Sequence, residues 1–304
     1  MGSHALKIVA LCVTWYLLSA ANNVIGKQIL TVFPYPVTLS MVNLAGLAFG
    51  LGPSLSALQV APAPHISRKV YTRRIIPLAL GKVLASVAAH VSVWKVSVSY
   101  AHTVKASMPL FTVLLSAVVL NETYPLKVYL SLAPIVLGVI LASVTEISFD
   151  LVGMLAALLS TLAISLQNIY SKKCMREAHI HHQRLLLVLS QAACFFLFPF
   201  WMYMDVWDLT SQLHKVQHLG WLFLAVPVSG CLNFAQNIVA FTMISAVSPN
   251  PVTLYNVLGM GVAISGVLIY NKIKYSASRH VKPVLPYQLN ESSVDSSLLH
   301  DRTH

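Results

Sequence analysis

Hydrophobic runs of about twenty residues recur along this chain, and they restrict its fold more than any other feature. A helix of about 20 apolar residues crosses the ~30 Å hydrocarbon core of a bilayer, and nine runs reach or approach that length. The pattern therefore predicts an all-α polytopic membrane protein of about nine spans. The runs occupy residues 8–30, 37–58, 75–95, 100–120, 126–145, 151–171, 184–204, 219–243 and 251–270.

Composition supports a membrane protein and argues against other classes. Only 10% of the 304 residues are charged, whereas soluble domains carry about 25%. The net charge of +11 does not indicate nucleic acid, because most of the basic residues lie outside the runs, spread over the connections and the tail, where they act as topology signals. No Gly-rich phosphate loop, nucleophile elbow or zinc-protease helix is present. We expect a lipid bilayer as the environment, and no enzyme activity, metal, cofactor or nucleic-acid partner.

The basic residues also raise a question about the number of spans. They concentrate in alternate connections, which fixes these on the cytosolic side. An even number of spans with both termini in the cytosol fits every connection, whereas nine spans put the basic residues after the last run outside. The basic groups are Arg68, Lys69, Arg73 and Arg74; then Lys172, Lys173 and Arg176; then Lys272, Lys274, Arg279 and Lys282.

An internal repeat locates the missing span. Residues 135–141 resemble residues 263–269 at an offset of 128, and residues 97–99 resemble residues 246–248 at an offset of 149. The difference is about 21 residues, close to one membrane helix. In the first half this space holds the run 100–120, and in the second half Ser248 is followed almost directly by the last run. The counterpart of the run 100–120 is therefore absent.

Lys105 is the strongest candidate for a functional residue. A cation in a membrane helix costs about 2.5–3.5 kcal/mol on insertion scales, so it usually faces a cavity and a partner. The alternative is a lysine that extends to the interface, since Lys105 lies near the start of its run. His102 lies three residues away on a neighbouring part of the same face, where it could donate a hydrogen bond, carry a coupled proton or only pack.

Weaker candidates lie in the third and eighth runs. His90 could project into the same cavity. Gln236 and Asn237 are amides within a membrane helix, where amides either line a polar path or bond to another helix. The same choice applies to Asn233, Gln167, Asn168, Asn22, Asn23 and Lys27. Gly46 and Gly50 permit close helix approach, which favours packing within the bundle over dimerisation, although a homodimer is also compatible with the sequence.

Several segments resemble a known transporter family. Ile76-Pro-Leu-Ala-Leu-Gly-Lys82, Ala89-His-Val-Ser-Val-Trp-Lys95 and Val98-Ser-Tyr-Ala-His-Thr-Val-Lys105 resemble the triose-phosphate-translocator branch of the drug/metabolite transporter superfamily. Ser165-Leu-Gln-Asn-Ile-Tyr-Ser-Lys-Lys173, Asn233-Phe-Ala-Gln-Asn237 and Asn256-Val-Leu-Gly-Met260 resemble solute carrier family 35, subfamily E. The resemblance implies ten helices in two inverted halves, a substrate cavity between them, and exchange of phosphorylated compounds for inorganic phosphate.

The resemblance also identifies a departure. In the family a ninth helix carries a Lys-Arg pair that holds substrate phosphate, and that helix is the one missing here. The family site is carried over to Lys105, with His102, Gln236, Asn237 and His90 as further substrate-binding candidates. The domains expected are a transporter domain over 1–275, with halves 8–145 and 151–272, and a disordered cytosolic tail over 276–304.

The function implied is a secondary antiporter of small phosphorylated or other anionic solutes, of the sugar-phosphate/phosphate exchange type. The membrane suggested by the resemblance is that of the Golgi or endoplasmic reticulum. Two alternatives stay open at this point. One is a nucleotide-sugar transporter, and the other is a truncated membrane protein that does not transport because it lacks the ninth helix.

Overall fold

The computed structural model describes residues 2–57, 59–60, 66–119, 124–146, 149–178, 180–207 and 219–246. These residues contain eight helices long and apolar enough to cross a membrane, and no strand. They confirm the all-α polytopic prediction, while the run 251–270 and the tail lie outside the described residues. The helices are α1 (Gly2–Val32), α2 (Pro36–Ala57), α3 (Arg68–Lys95), α4 (Val98–Val119), α5 (Leu126–Thr145), α6 (Leu151–Ala178), α7 (His182–Val206) and α8 (Leu219–Ala246).

Helix α3 begins earlier than hydropathy predicts. Its first residue is Arg68, where the hydrophobic run begins at residue 75, and the hydroxyl of Ser67 caps it by accepting a hydrogen bond from the Val70 N–H at 3.3 Å. The segment Tyr71–Ile75 continues the helix with π-type hydrogen bonds. The basic residues predicted in a connection therefore lie in the first turns of α3, because a helix extends past the apolar core wherever its backbone is capped.

Helix α4 is broken beside its lysine, whereas the sequence predicts one continuous run. Its two parts are Val98–Lys105 and Met108–Val119, with a turn at Ala106 and Ser107 between them. Pro109 explains the break, because proline has no N–H to donate and its ring clashes with the carbonyl four residues earlier, that of Lys105. The break leaves Lys105 at the C-terminal end of a short helix.

Glycines allow α2 and α8 to approach closely. A Cβ added at Gly46 would lie 3.2 Å from the Gly230 carbonyl oxygen, and one added at Gly50 would lie 3.0 Å from the Phe234 ring. The two glycines thus serve packing within the chain, as expected. Helix α3 packs mainly against α6, and α1 packs mainly against α8.

Polar contacts tie α2 to α7 near both ends. The Asp205 carboxylate accepts hydrogen bonds from the Thr38 backbone N–H at 2.6 Å and from the Thr38 hydroxyl at 2.8 Å. Close to the other end, the Arg184 guanidinium donates to the Val60 carbonyl at 2.7 Å. Asp205 follows the hydrophobic run 184–204, yet it is buried in the last turn of α7, because Thr38 supplies it with two donors.

Gly153 offers a test of the packing between α6 and the end of α3. A Cβ at this position would lie 2.6 Å from Val96 Cγ1 and 2.8 Å from Lys95 Cβ. We expect Gly153→Ala to destabilise the protein by about 1–3 kcal/mol through overpacking, although alanine favours a helix by about 1 kcal/mol. The measurement is the Tm of the detergent-purified protein, followed by size-exclusion chromatography after heating.

The matched control is Gly138→Ala in α5, where the added Cβ meets no atom of the described residues within 4 Å. Its Tm should stay constant or rise slightly. Equal Tm values for the two variants would contradict the close approach of α6 to α3.

Candidate functional site

A cavity of about 870 Å³ lies among α1, α2, α3, α4, α6 and α8. Its volume falls within the range of about 300–1,000 Å³ that is usual for ligand pockets. All five candidates from the sequence line this cavity, although they come from three different helices. They are His90, His102, Lys105, Gln236 and Asn237.

Lys105 and His102 present unbonded polar groups to the cavity. Lys105 lies at the break in α4, and its ammonium makes no hydrogen bond or ion pair to any residue in the described part of the chain. It interacts electrostatically with the rings of His90 and His102. The His102 ring likewise has no hydrogen-bond partner among the described residues. An ammonium has three donors, so this corner of the cavity can receive an oxyanion.

His90 lines the cavity but is held by its neighbours. Its Nδ1 lies 2.9 Å from the Ser86 carbonyl and 2.8 Å from the Ser40 hydroxyl, and its Nε2 lies 3.0 Å from Asn43 Nδ2. The Ser40 hydroxyl donates to the Pro36 carbonyl at 2.8 Å, so it accepts from His90. These contacts assign the proton to Nδ1 and leave Nε2 as the acceptor of the Asn43 amide. His90 therefore forms part of the wall, and its contact with a substrate stays a prediction.

The amides of α8 divide into bonded and unbonded groups. Asn233 Nδ2 donates to the Asn43 carbonyl at 3.1 Å, and Asn237 Nδ2 donates to the Asn233 carbonyl at 2.7 Å. Gln236 bonds to no described residue, and the same holds for Gln167 on α6. The side chains of Gln236 and Gln167 are therefore available to hydroxyl groups of a solute, while Asn237 offers only its side-chain oxygen.

Lys27 was one of the lesser candidates from the sequence, and the structure gives it a different place. Its ammonium donates to the carbonyl oxygens of Val93 at 2.8 Å, Trp94 at 3.0 Å and Val96 at 3.0 Å. These carbonyls lie at the C-terminal end of α3, where backbone acceptors lack helical partners. Lys27 is not among the residues that line the cavity. It holds α1 against the end of α3, and we assign it a positioning role.

Sequence reasoning missed Lys82, which also lines the cavity. Lys82 is the eighth residue of the hydrophobic run 75–95, which is deeper than Lys105 lies in the run 100–120. In the structure, Lys82 lies near the middle of the 28-residue helix α3. The signal that could have found it is the rule that singled out Lys105, applied to the run 75–95.

The charges of the cavity are all of one sign. Its described lining contains two lysines and two histidines but no aspartate or glutamate. The described residues also contain no group of three or more His, Cys, Asp or Glu side chains arranged for a metal ion. Since an uncompensated cation is costly in a membrane, the cavity is suited to an anion.

Comparison with known proteins identifies the family to which the chain belongs. The profile of the Triose-phosphate Transporter family matches residues 6–250, which include every described helix from Leu6 onward. The chain belongs to the triose-phosphate transporter family. It is accordingly a multi-pass membrane protein, as its eight described spans indicate.

Triose-phosphate transporter relatives resemble the chain over most of its length. Phosphoenolpyruvate/phosphate translocator 3, chloroplastic, of Oryza sativa subsp. japonica is 35% identical over 295 residues, covering 88% of this chain and 75% of its own length. Glucose-6-phosphate/phosphate translocator 2, chloroplastic, of Arabidopsis thaliana is 31% identical over 300 residues, with coverage of 90% and 76%. Xylulose 5-phosphate/phosphate translocator, chloroplastic, of Arabidopsis thaliana is 31% identical over 287 residues, with coverage of 85% and 68%.

The lengths of these alignments show that the relatives have residues without a counterpart in this chain. In the second alignment, 90% of the 304-residue chain is about 274 residues, so about 26 of the 300 aligned positions have no residue from this chain. The same arithmetic gives about 27 positions for the rice relative and about 29 for the xylulose 5-phosphate relative. Each difference is a little longer than one membrane helix.

Lys27 provides a test of how the cavity is held together. We expect Lys27→Met to lower the free energy of unfolding by about 1.5–3 kcal/mol, the range for hydrogen bonds made by a charged group. The measurement is the Tm in detergent, compared with limited proteolysis of the same samples.

The control is Lys95→Met, which removes a positive charge from the same end of α3. Lys95 is exposed, and its ammonium lies 4.3 Å from the centroid of the Trp94 ring, a contact worth about 0.5–1 kcal/mol at exposed sites. An equal loss of stability in the two variants would show that the carbonyl contacts of Lys27 do not stabilise the protein.

Proposed function

We propose that this chain is a secondary antiporter that exchanges small phosphorylated or other anionic solutes for inorganic phosphate. The observation that carries the proposal is the cavity whose described lining holds two lysines, two histidines and no carboxylate. A phosphate group would compensate this charge and accept charge-assisted hydrogen bonds, which are roughly twice as strong as neutral ones. The three relatives described above are each named as phosphate translocators, which supports the same class of solute.

Within this proposal Lys105 is the anchor of the phosphate group. Its ammonium has no protein partner in the described part of the chain and lies at a helix break, a feature often found at transporter substrate sites. His102, one turn earlier on the same helix, supplies a second polar contact. Gln236 and Asn237 face the same cavity from α8 and bind hydroxyl groups, while His90 contributes to the wall.

Exchange follows from the charge of the empty cavity. When no anion is bound, switching between the two sides of the membrane would carry an uncompensated ammonium through a water-poor state. A bound anion lowers this cost, so the loaded protein switches faster than the empty one. Uptake into vesicles should accordingly require a counter-anion inside, and uptake without one would contradict exchange.

The subfamily of the chain and its location in the cell are also part of the proposal. The segments Ser165-Leu-Gln-Asn-Ile-Tyr-Ser-Lys-Lys173 and Asn233-Phe-Ala-Gln-Asn237 support membership in solute carrier family 35, subfamily E. With that subfamily goes a location in the Golgi or endoplasmic reticulum membrane, whereas the relatives named above are chloroplast proteins. Fluorescence microscopy of the tagged full chain beside Golgi, reticulum and plastid markers tests the location.

A second candidate function has its own support. The unmatched positions in the alignments amount to about one helix, and the internal repeat places the absent helix between Ser248 and Pro251. A chain without that helix would insert into the membrane but lack part of the phosphate site, and it would not transport. Sequencing the transcript across this junction tells whether the native protein has the helix.

Lys105→Gln is the decisive variant for transport. Loss of one charge-assisted hydrogen bond, worth about 1.5–3 kcal/mol, should lower exchange at least about tenfold. The measurement is uptake of radiolabelled phosphate into proteoliposomes preloaded with unlabelled phosphate, at equal protein insertion.

Lys95→Gln is the matched control, since Lys95 does not line the cavity, and its exchange should stay within twofold of the wild type. Full exchange by Lys105→Gln would remove Lys105 from the site. No exchange by the wild-type chain would favour the second candidate, a membrane protein that does not transport.

A further inference from the structure

The two ends of the helix bundle differ in charge, which gives each end a side of the membrane. Basic residues collect at the start of α3 and in the last turns of α6, so both belong to the cytosolic side. The end of α3 is therefore non-cytosolic. Lys27, near the end of α1, contacts this end of α3, so α1 also ends there and begins on the cytosolic side.

A hydrophobic cluster closes the cavity at the non-cytosolic end. Its buried residues lie near the ends of α1, α3 and α5 and near the starts of α2, α4, α6 and α8, all at this end of the bundle. Val93 is buried in the cluster and Val98 packs against it, and both residues also line the cavity. The cluster therefore lies directly between the cavity and the non-cytosolic surface.

The cytosolic half of the cavity is bordered differently. There the hydrophobic clusters of the described residues combine α2 with α7 and α8, and α3 with α6 and α7. Neither of these clusters contains a residue of α1 or α4, although both helices line the cavity. Tyr16 and Ala20 on α1 and Ala106 on α4 are exposed where they line it. The described residues thus have the arrangement expected of a cavity that faces the cytosol.

Lys27 is the charged contact of the closed end. Its three ammonium donors match three acceptors, the carbonyl oxygens of Val93, Trp94 and Val96 at 2.8–3.0 Å. A cation at the C-terminal end of a helix is also favoured by the helix dipole. Because these carbonyls lie where α3 passes into α4, one side chain fixes α1 to both helices that carry the lysines and histidines of the cavity.

This contact can break without leaving a charge in hydrocarbon. Lys27 lies five residues before Val32, the last residue of α1, which is roughly 8 Å from the end of the helix. A lysine stem reaches the interface from that depth, so water can replace the three carbonyls when α1 and α3 separate. The same replacement is impossible for a lysine in the middle of a span, such as Lys82.

We propose that Lys27 is a latch that keeps the cavity closed toward the non-cytosolic side, and that its ammonium leaves the three carbonyls whenever the cavity opens there. The inference deepens the proposed function and rests on it, since exchange requires a cavity that opens to both sides in turn. Lys27 then acts on the balance between the two states and does not touch the solute.

The test measures how easily the cavity is reached from the cytosol. Ser99 lines the cavity near its non-cytosolic end, so a water-soluble reagent reaches a cysteine there from the cytosol only while the cavity faces that side. Sealed microsomes with the full chain carrying Ser99→Cys expose their cytosolic face to anionic sulfonatoethyl methanethiosulfonate. Mass spectrometry gives the rate of modification at position 99, and this rate does not depend on transport.

Removal of the latch should slow this modification. Lys27→Met should lower the rate at least about threefold, because a hydrogen bond from a charged donor is worth about tenfold or more in the equilibrium between the two states. Lys27→Arg keeps a charged donor for the carbonyls, and Lys95→Met removes a charge from the same end of α3 without affecting them. Both controls should stay within about 1.5-fold of Ser99→Cys alone.

Phosphate exchange across the same microsomes gives a second measurement. Fewer molecules of Lys27→Met face the cytosol, so its half-saturation concentration for phosphate should rise on the cytosolic face and fall on the luminal face. A general loss of stability would instead lower the maximal exchange rate and move neither constant in opposite directions.

The sign of the labelling result separates the latch from a purely structural role, because loosened packing would speed the modification. An unchanged or higher rate in Lys27→Met would overturn the inference, and so would equal slowing in Lys95→Met. If Lys27→Met does not insert, Lys27→Gln replaces it with the same criteria, since it keeps two neutral donors. Slower modification in a chain that exchanges no phosphate would support the latch and sink the proposed function. Exchange with unchanged modification would sink the latch alone.

Discussion

A lysine ammonium inside a bilayer needs oxygen acceptors or an anion, because hydrocarbon supplies neither. The role of each lysine in this structure depends on which of these partners it contacts. Lys27 uses three backbone carbonyls that the end of α3 leaves without helical partners. Lys95 stays exposed and lies over an indole ring. Lys82 and Lys105 find neither in the described part of the chain, and both open into one cavity. The two lysines without protein acceptors are therefore the ones that a solute can use.

A polar network fixes part of the cavity wall. Asn43 on α2 contacts His90 on α3 and Asn233 on α8, and Ser229 on α8 donates to Asn22 on α1 at 3.0 Å. Buried polar groups of this kind cost free energy unless they are bonded, and here the bonds connect four helices. The network leaves a different set of groups free to meet a solute. They include the side chains of Lys82, Lys105, His102, Gln236 and Gln167.

The helices were predictable because the bilayer imposes a simple rule on the backbone. Every N–H and C=O in hydrocarbon must be bonded within the chain, so each long apolar run had to be a helix. Prediction was weaker at the ends. Hydropathy placed the start of α3 at residue 75 instead of Arg68, because basic residues at an interface are polar and still helical. The break at Pro109 was also missed, although proline marks it in the sequence.

The candidate site was predictable only in part. Lys105 stood out because a charge in an apolar run is visible without any structure. Helix spacing from Lys105 indicated His102, and polar side chains within apolar runs indicated Gln236, Asn237 and His90. The structure brings all five to one cavity, but it occupies both ring nitrogens of His90 and leaves Gln236 unbonded to the described residues. Such differences depend on partners about 50 residues or more away, which no local pattern contains.

The sequence by itself determined that this is a helical membrane protein with too few acidic residues to neutralise lysines within its spans. Both facts depend only on hydropathy and composition, which are local properties of the chain. The tertiary structure decided which lysines matter to a solute. Lys27 and Lys82 look alike in the sequence, yet only Lys27 lies within reach of free backbone carbonyls, while Lys82 opens into the cavity of Lys105. Helix packing makes that choice, because it sets which acceptors lie within hydrogen-bond distance of each ammonium.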